Sequence, residues 1–242
     1  MLFSEDASSL RTFFLQLNYH RLNAIITKIK FEVLIVFLTL IGMSGTGKSY
    51  WSKKLESQGF KRFGCDDLIT VHLAEQLGYI EPEEFDMHQW VGYPDEETHI
   101  SRAQQYLDAE KEVLNEIIDY LNKAGEHENI VIDSTGSVIY MPEEILDTLS
   151  QLTRIVYLDL TSQDFDRMLQ FYLENPVAII WNNYFLPNPT ESRSQTFARC
   201  YPQLIKSREQ KYNELAHLTI PPALHRASDA SVERFLSFIT SA

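Results

Sequence analysis

The chain has few cysteines and comparatively few positive charges. Its 242 residues include two cysteines, Cys65 and Cys200, which lie far apart and have no metal-binding spacing. This usage suggests a reducing compartment. Lysine and arginine number 21 against 34 aspartates and glutamates, a formal net charge of -13. Because such a surface repels phosphate backbones, nucleic acid is not an expected partner.

The sequence also has no apolar run long enough to cross a membrane. The strongest run, Phe31 to Gly42, contains Glu32 and is shorter than the about 20 residues that a bilayer-spanning helix needs. It reads better as a buried parallel strand, so we expect no membrane partner. The composition, 44% hydrophobic and 23% charged, is that of an ordinary globular protein.

A complete phosphate-binding loop follows this apolar run. Residues 42–49 read Gly-Met-Ser-Gly-Thr-Gly-Lys-Ser, which matches G-x-x-x-x-G-K-[ST]. The glycines let backbone N–H groups converge on phosphates, Lys48 adds charge at the β- and γ-phosphates, and Ser49 offers a hydroxyl to Mg²⁺. A ligand-free glycine-rich turn is disfavoured by the strand before the loop and the helix after it. The predicted nucleotide-binding residues here are Gly42, Ser44, Gly45, Thr46, Gly47, Lys48, Ser49 and Tyr50.

Strand-like and helical patterns alternate along the chain, which predicts a parallel sheet with helices on both faces. The predicted strands are 33–41, 59–63, 129–133, 154–160 and 217–220. The predicted helices are 48–58, 66–77, 100–124, 143–151, 162–174, 197–217 and 231–239. We expect one kinase-like nucleotide-binding domain over 31–242, with an acidic, aromatic insertion at 81–99 and a lid at 175–200.

Residues 1–30 are predicted to form an N-terminal extension. Their apolar and basic residues fit an amphipathic helix, either a packing extension or an organelle transit segment. Glu5 and Asp6 favour the extension. We therefore expect a cytoplasmic protein, with an organelle as the alternative location.

Asp133 ends an apolar run, at a position where P-loop proteins carry a carboxylate that binds Mg²⁺ directly or through water. The alternative is a turn-capping aspartate, since Ser134, Thr135 and Gly136 follow. The loop upstream favours the metal role. The predicted magnesium ligands are therefore Ser49 and Asp133.

Over roughly residues 33–240, the chain resembles shikimate kinase and related P-loop small-molecule kinases. The matching pieces are the phosphate loop, Asp66 ahead of Leu68-Ile69, and residues 131–138, 155–158 and 207–216, the last with an Arg-x-x-x-Tyr-x-x-x-Ala spacing. The resemblance implies a five-stranded parallel core, ATP and Mg²⁺ as cosubstrates, and phosphoryl transfer to an alcohol. It also implies that Asp66 contacts the acceptor hydroxyl, that Arg208 faces the acceptor, and that Arg167 lies near the adenine.

The departures from this family concern the acceptor. The first residue of the family's Asp-x-Asp is Gly64 here, its Phe-Arg pair is Tyr106-Leu107, and its Gly-Gly-Gly is Thr135-Gly136-Ser137. Losing the arginine removes a charge-assisted contact worth about 1.5–3 kcal/mol, so shikimate itself is a doubtful acceptor. The family's lid arginine is Asn175, followed by Pro176.

Other side chains are candidates to complete the site. Arg102 either reaches the acceptor or is a surface arginine, and Trp90 and Tyr93 either stack on the acceptor or anchor the insertion. Arg193 and Arg199 flank the predicted lid and are candidates to close on the γ-phosphate.

The sequence therefore predicts an ATP-dependent kinase acting on the hydroxyl of a small metabolite, with Lys48, Asp66 and Arg208 as catalytic residues. The alternative is a nucleotide-binding regulatory protein with weak or no activity, which Gly64 and Leu107 favour. A kinase of another P-loop group, for instance one acting on a sugar acid, is a third reading. The oligomeric state stays open, with a monomer as the default expectation.

Overall fold

The computed structural model describes residues 36–124, 128–174 and 179–241, leaving aside the side chains of residues 162, 163, 165 and 166. The predicted extension over residues 1–30, the beginning of the first predicted strand, and Asn175 and Pro176 lie outside the described residues. The predicted elements in the rest of the chain can be compared directly with the structure.

A parallel sheet organises the fold. Its strands are β1 (Phe37–Ile41), β2 (Lys61–Gly64), β3 (Ile130–Asp133), β4 (Arg154–Leu158) and β5 (Leu218–Ile220). They pair in the order β2-β3-β1-β4-β5, with every pairing parallel. Successive residues of β1, β3 and β4 point to opposite faces and are buried almost throughout, so both faces of the sheet are covered. The predicted α/β fold with a five-stranded parallel sheet is confirmed.

The helices connect these strands. They are α1 (Lys48–Glu56), α2 (Cys65–Gln76), α3 (Met87–Val91), α4 (His99–Ala124), α5 (Glu143–Leu152), α6 (Ser162–Glu174), α7 (Arg193–Leu215), α8 (Pro222–His225) and α9 (Val232–Ser241). Short 3-10 turns lie at Pro82–Glu84, Val138–Tyr140 and Asn182–Tyr184. Among the described helices, none has the length and apolar character needed to cross a bilayer.

Helix α7 begins four residues earlier than predicted, at Arg193 instead of Phe197. Ser192 and Gln195 form a capping box, in which each side chain accepts a hydrogen bond from the backbone N–H of the other. The last residues of the predicted lid, 193–200, are therefore the first turns of a helix, with Phe197 and Cys200 fully buried.

The strand order determines where a ligand can bind. Strand β1 lies between β3 and β4, and its register places Leu40 beside Asp133 and Ile41 beside Tyr157. The loops after β1 and β3 consequently emerge side by side at the carboxyl edge of the sheet, where ligands bind in open parallel sheets.

Candidate active site

The phosphate loop has the backbone that its glycines predict. Gly45 and Gly47 have φ angles of 81° and 103°, in the left-handed region, and Gly47 is the N-cap of α1. Gly42 has φ 141°, and a Cβ there would approach the carbonyl oxygen of Leu158 to 3.0 Å. Side chains at these positions would be strained, because L-residues rarely adopt such angles.

Lys48 is buried at the mouth of this loop. Its Nζ donates to the carbonyl oxygens of Gly42 at 2.8 Å and Met43 at 3.1 Å. Burial lowers the pKa of Lys48, and the charges of Asp133 and Asp66 act in the opposite direction. The ammonium group is thus held by loop carbonyls beside the place where phosphates bind in P-loop proteins.

A cavity of about 240 Å³ joins the loop to the predicted acceptor residues. From the loop it is lined by Met43, Ser44, Gly45, Gly47, Lys48, Ser49 and Tyr50, and from elsewhere by Asp66, His88, Tyr106, Gly136, Ile179 and Arg208. The predicted residues Gly42, Thr46 and Arg167 do not line it. Lys48, Asp66 and Arg208, the predicted catalytic residues, share this cavity.

Asp66 lies in the first turn of α2, with its carboxylate at the cavity wall. The Tyr106 hydroxyl donates to Asp66 Oδ1 at 3.2 Å. Asp66 is exposed at the surface of the cavity, and partial desolvation of its carboxylate by the surrounding protein raises its pKa, although Lys48, His88 and the Tyr106 hydrogen bond favour the charged form. The carboxylate is therefore an available hydrogen-bond acceptor, with raised basicity, in the same cavity as the loop lysine.

Arg208, on α7, is 2% exposed and already has several hydrogen-bond partners. It donates to the carbonyl oxygen of Ile180 at 2.6 Å, to that of Gly136 at 3.1 Å and to the Tyr140 hydroxyl at 3.3 Å. Arg208 therefore holds the loop after β3 and the segment before α7 together at the edge of the cavity.

Asp133 forms an ion pair with Arg62. Its Oδ2 accepts from Arg62 Nη2 at 2.9 Å and from the Ser52 hydroxyl at 3.0 Å. Arg62 occupies space that Gly64 leaves open, since a Cβ on Gly64 would lie 2.6 Å from Arg62 Nη2. No sequence pattern indicated this ion pair, whose partners are 71 residues apart.

The protein oxygen atoms at the cavity suit a magnesium ion whose ligands are mainly phosphate oxygens and water. The described residues contain no cluster of three histidines, cysteines or carboxylates able to bind a metal by themselves. Mg²⁺ in phosphoryl-transfer sites typically takes only one or two protein ligands besides substrate oxygens and water. Ser49 at the cavity wall fits this role, whereas Asp133 offers only the oxygen that Arg62 and Ser52 leave free.

Glu110 is a further residue beside the site, outside the set predicted from the sequence. It lies on α4 one turn after Tyr106 and is 1% exposed. Ser137 donates to its Oε2 at 2.6 Å, and Thr135 donates to its Oε1. Burial raises the pKa of Glu110 from 4.5 to about 7. A signal was present in the sequence, because a glutamate at this spacing interrupts the apolar face of the predicted helix.

Three candidates for completing the acceptor pocket have other contacts in the structure. Arg102 donates to the Trp90 carbonyl at 2.7 Å and lies over the Trp90 ring. The Tyr93 hydroxyl donates to the Tyr172 carbonyl at 3.4 Å. None of these three lines the cavity, so the insertion aromatics act as anchors and not as a stacking wall.

The two lid arginines are also paired. Arg193 makes a bidentate ion pair with Asp95, at 2.6 and 3.0 Å, and Arg199 pairs with Glu191 at 2.8 Å. A closing movement onto a γ-phosphate would have to break these pairs.

Arg167 is linked to the loop only through intermediates. Its side chain is 76% exposed and contacts Asp164 at 2.6 Å. Asp164 also binds Arg226 at 2.8 Å, and Arg226 donates to the carbonyl oxygen of Gly45 at 2.8 Å. Arg226, which no sequence pattern indicated, is therefore the arginine of this group that touches the phosphate loop.

The combination of strand order, phosphate loop and cavity defines a P-loop kinase-like fold. No protein-family model and no curated protein matches the sequence. Among solved structures, the chain is similar to shikimate kinase from Acinetobacter baumannii in complex with shikimate, at 21% identity and TM-score 0.53, covering 88% of this chain and 97% of that one. It is also similar to shikimate kinase from Bacteroides thetaiotaomicron, at 13% identity and TM-score 0.54, covering 86% and 100%. The fold is thus shikimate kinase-like.

Proposed function

We propose that this protein is an ATP-dependent kinase that transfers the γ-phosphate to a hydroxyl group of a small metabolite. The observation that carries the proposal is the single cavity shared by Lys48 of the phosphate loop and by Asp66 of α2. In-line phosphoryl transfer needs a phosphate held by a positive field and an acceptor hydroxyl oriented beside it. In this scheme Lys48 supplies charge, Ser49 is a ligand of Mg²⁺, and Asp66 orients the attacking hydroxyl and takes its proton.

The acceptor in this proposal carries no carboxylate. Arg208 is the arginine of the cavity, and it already donates to the carbonyl oxygens of Ile180 and Gly136. The carboxylate of Asp66, which shares this end of the cavity with Lys48 and His88, repels an anionic acceptor. An uncharged polyol fits these surroundings better than shikimate does, although the resemblance to shikimate kinase taken alone would favour shikimate.

The proposal has a direct test in two parts. Calorimetry should detect binding of MgATP to the wild type and a loss of at least tenfold in affinity for Lys48→Met, with Lys53→Met, an exposed lysine of the same helix, as the control. Phosphorylated products should then be sought across uncharged polyols and hydroxy acids, shikimate included. Failure of the wild type to bind ATP would refute the nucleotide site, and efficient phosphorylation of shikimate would refute the acceptor argument.

A second candidate function is a nucleotide-binding regulatory protein. The pairing of Asp133 with Arg62 favours it, because that cation competes with Mg²⁺ for the carboxylate. Binding of ATP without any phosphorylated product, and without release of inorganic phosphate, would support this reading over the kinase.

A further inference from the structure

Tyr106 carries a hydroxyl group that the phosphoryl-transfer scheme leaves without a role. Its side chain is 1% exposed, yet it lines part of the cavity that Lys48 and Asp66 share. The pair that is Phe-Arg in shikimate kinase is Tyr106-Leu107 here, so the hydroxyl is a departure from that pattern. A buried hydroxyl needs a hydrogen-bond partner, and the Tyr106 hydroxyl has Asp66 as its partner.

The hydrogen bond between these two side chains has a fixed direction. The Tyr106 hydroxyl lies 3.2 Å from Asp66 Oδ1. Burial raises the pKa of Tyr106 well above its ordinary value, so the phenol keeps its proton and is the donor. An ionised carboxylate has no proton to give, so Oδ1 is the acceptor. One oxygen of the predicted base is therefore occupied by a neutral donor of the protein.

The second oxygen of this carboxylate is left for a ligand. Among the described residues, no hydrogen-bond donor contacts Asp66 Oδ2. Lys48 and His88 line the same cavity, and their charges favour the ionised form of Asp66. Because Asp66 is exposed at the cavity surface, Oδ2 is the oxygen that can accept a hydrogen bond from an acceptor hydroxyl.

The backbone of Asp66 is held independently of the Tyr106 hydroxyl. Asp66 lies in the first turn of α2, which packs along α4. The Thr70 hydroxyl donates to the Asp66 carbonyl oxygen at 2.7 Å, and further along the two helices His72 Nε2 lies 2.7 Å from Glu112 Oε2. Loss of the Tyr106 hydroxyl should therefore free the Asp66 carboxylate to rotate without displacing α2.

We propose that Tyr106 is a positioning residue, whose hydroxyl holds Asp66 by Oδ1 so that Oδ2 takes the proton of the acceptor. The inference rests on the proposed function, in which Asp66 is the base. In the transfer step the acceptor oxygen bonds to the γ-phosphorus, the bond from that phosphorus to the bridging oxygen breaks to release ADP, and the hydroxyl proton passes to Asp66 Oδ2. Tyr106 keeps its own proton and donates to Oδ1 before and after this step.

The Tyr106 hydrogen bond is one of several interactions that set the charge of Asp66. Partial desolvation raises the pKa of this carboxyl, whereas the charges of Lys48 and His88 and the Tyr106 hydrogen bond lower it. The other ionisable groups that interact with this carboxyl include Asp133, Glu110 and Cys65. Because Asp66 must be ionised to take a proton, removal of the Tyr106 donor should leave less of the base form at a given pH.

Carboxyl carbon-13 NMR on the ligand-free protein tests this hydrogen bond without any turnover. The Asp66 signal is assigned by its loss in Asp66→Asn. Its titration midpoint should rise by about 0.5 pH unit or more in Tyr106→Phe, because a donor to the ionised form is removed. The control Tyr120→Phe removes a hydroxyl of the same helix that bonds to Glu128, and it should leave the midpoint unchanged. An unmoved midpoint in Tyr106→Phe overturns the proposal.

The pH dependence of phosphate release from MgATP tests the consequence for the reaction, with water as the acceptor that gives its proton to Asp66. In Tyr106→Phe the plateau rate at high pH should fall about tenfold, because the base is no longer oriented. The pH at half of the plateau should rise as the NMR midpoint does. Calorimetry should show an affinity for MgATP within about twofold of the wild type, because Asp66 and not the phosphate loop has lost a contact. A plateau and a half-plateau pH that both stay at the wild-type values overturn the proposal.

A measurement on the wild type keeps the proposal testable if Tyr106→Phe does not fold. The carbon-13 signal of Tyr106 Cζ should shift with the same midpoint as the Asp66 carboxyl, and this response should be absent in Asp66→Asn, a substitution at an exposed position. A Tyr106 signal that does not respond to Asp66 overturns the proposal.

The outcomes separate this proposal from the kinase proposal. Absence of phosphate release by the wild type at every pH, together with no phosphorylated product, overturns the kinase proposal. The NMR titrations then still decide whether the Tyr106 hydroxyl holds the Asp66 carboxylate.

Discussion

Replacing Arg62 by methionine should destabilise the protein strongly, although Arg62 lies at the edge of the sheet on β2. The substitution keeps an apolar stem of similar length and removes the guanidinium. Asp133, 5% exposed, would keep the Ser52 hydroxyl as a partner and lose its cation. The buried carboxylate would then have no cation in hydrogen-bond contact, and the charge of Lys48 would act on it only from further away.

The magnitude follows from the two ion pairs that Arg62 makes. Its contact with Asp67, at 3.2 Å, involves a carboxylate that is 75% exposed and contributes about 0–1 kcal/mol. Removing one partner of a buried pair such as that with Asp133 costs about 3–5 kcal/mol. Because Ser52 still donates to the carboxylate and the Arg62 side chain is 13% exposed, we take the lower end, about 3 kcal/mol.

Urea unfolding at neutral pH is the appropriate measurement, with Asp67→Asn as the matched control. Arg62→Met should lower the urea concentration at the unfolding midpoint by about 1 M or more, and Asp67→Asn should lower it by only about 0.3 M. The double variant Arg62→Met with Asp133→Asn should recover much of the loss, because no uncompensated charge remains. A loss in Arg62→Met no larger than that in Asp67→Asn would refute the view that Arg62 neutralises Asp133.

Three further predictions concern Gly64, Arg226 and Glu110. Gly64→Ala should lose unfolding free energy in the same urea assay, because its Cβ would lie 2.6 Å from Arg62 Nη2 and displace the guanidinium. Arg226→Ala should weaken ATP binding a few-fold with kcat unchanged, since it removes a contact to the phosphate loop. The control Arg234→Ala should change neither the affinity for ATP nor kcat. Equal losses of ATP affinity in the two variants would contradict the role of Arg226. The wild type should lose unfolding free energy as the pH rises from 4.5 to about 7, because the pKa of Glu110 is higher in the folded than in the unfolded state. Glu110→Gln should flatten that pH dependence, and an unchanged slope in this variant would contradict the assignment of the effect to Glu110.

The parts of the fold that local patterns determine were predictable. The phosphate loop, the strand before it and the helix after it form one continuous segment, and the signals for each lie within a few residues of each other. Helix α4 was recognisable from its apolar spacing, and it runs His99–Ala124 against a predicted 100–124. Boundaries set by side-chain capping, such as Ser192 with Gln195, were less accessible because the polar residues there also fit a loop.

The polar contacts of the candidate site were not predictable in the same way. Arg62 and Asp133 are separated by 71 residues, and their pairing depends on β2 and β3 being neighbours in register. The contact of Arg226 with Gly45 spans 181 residues, and Arg226 directly follows helix α8. No sequence periodicity predicts such contacts, because they depend on which strands and loops become neighbours in the folded protein.

Two departures from the shikimate kinase pattern are matched by new contacts within the candidate site. The space left by Gly64 is filled by the Arg62 guanidinium, which pairs with Asp133. The hydroxyls of Thr135 and Ser137, which replace glycines of that pattern, both donate to Glu110. Stability alone requires partners for buried polar groups, so these matched contacts are expected of a kinase and of a regulatory protein alike. The Arg62–Asp133 pair favours the regulatory protein, because the guanidinium competes with Mg²⁺ for the carboxylate. The cavity that Lys48 and Asp66 share favours the kinase, and the assay for a phosphorylated product decides between the two.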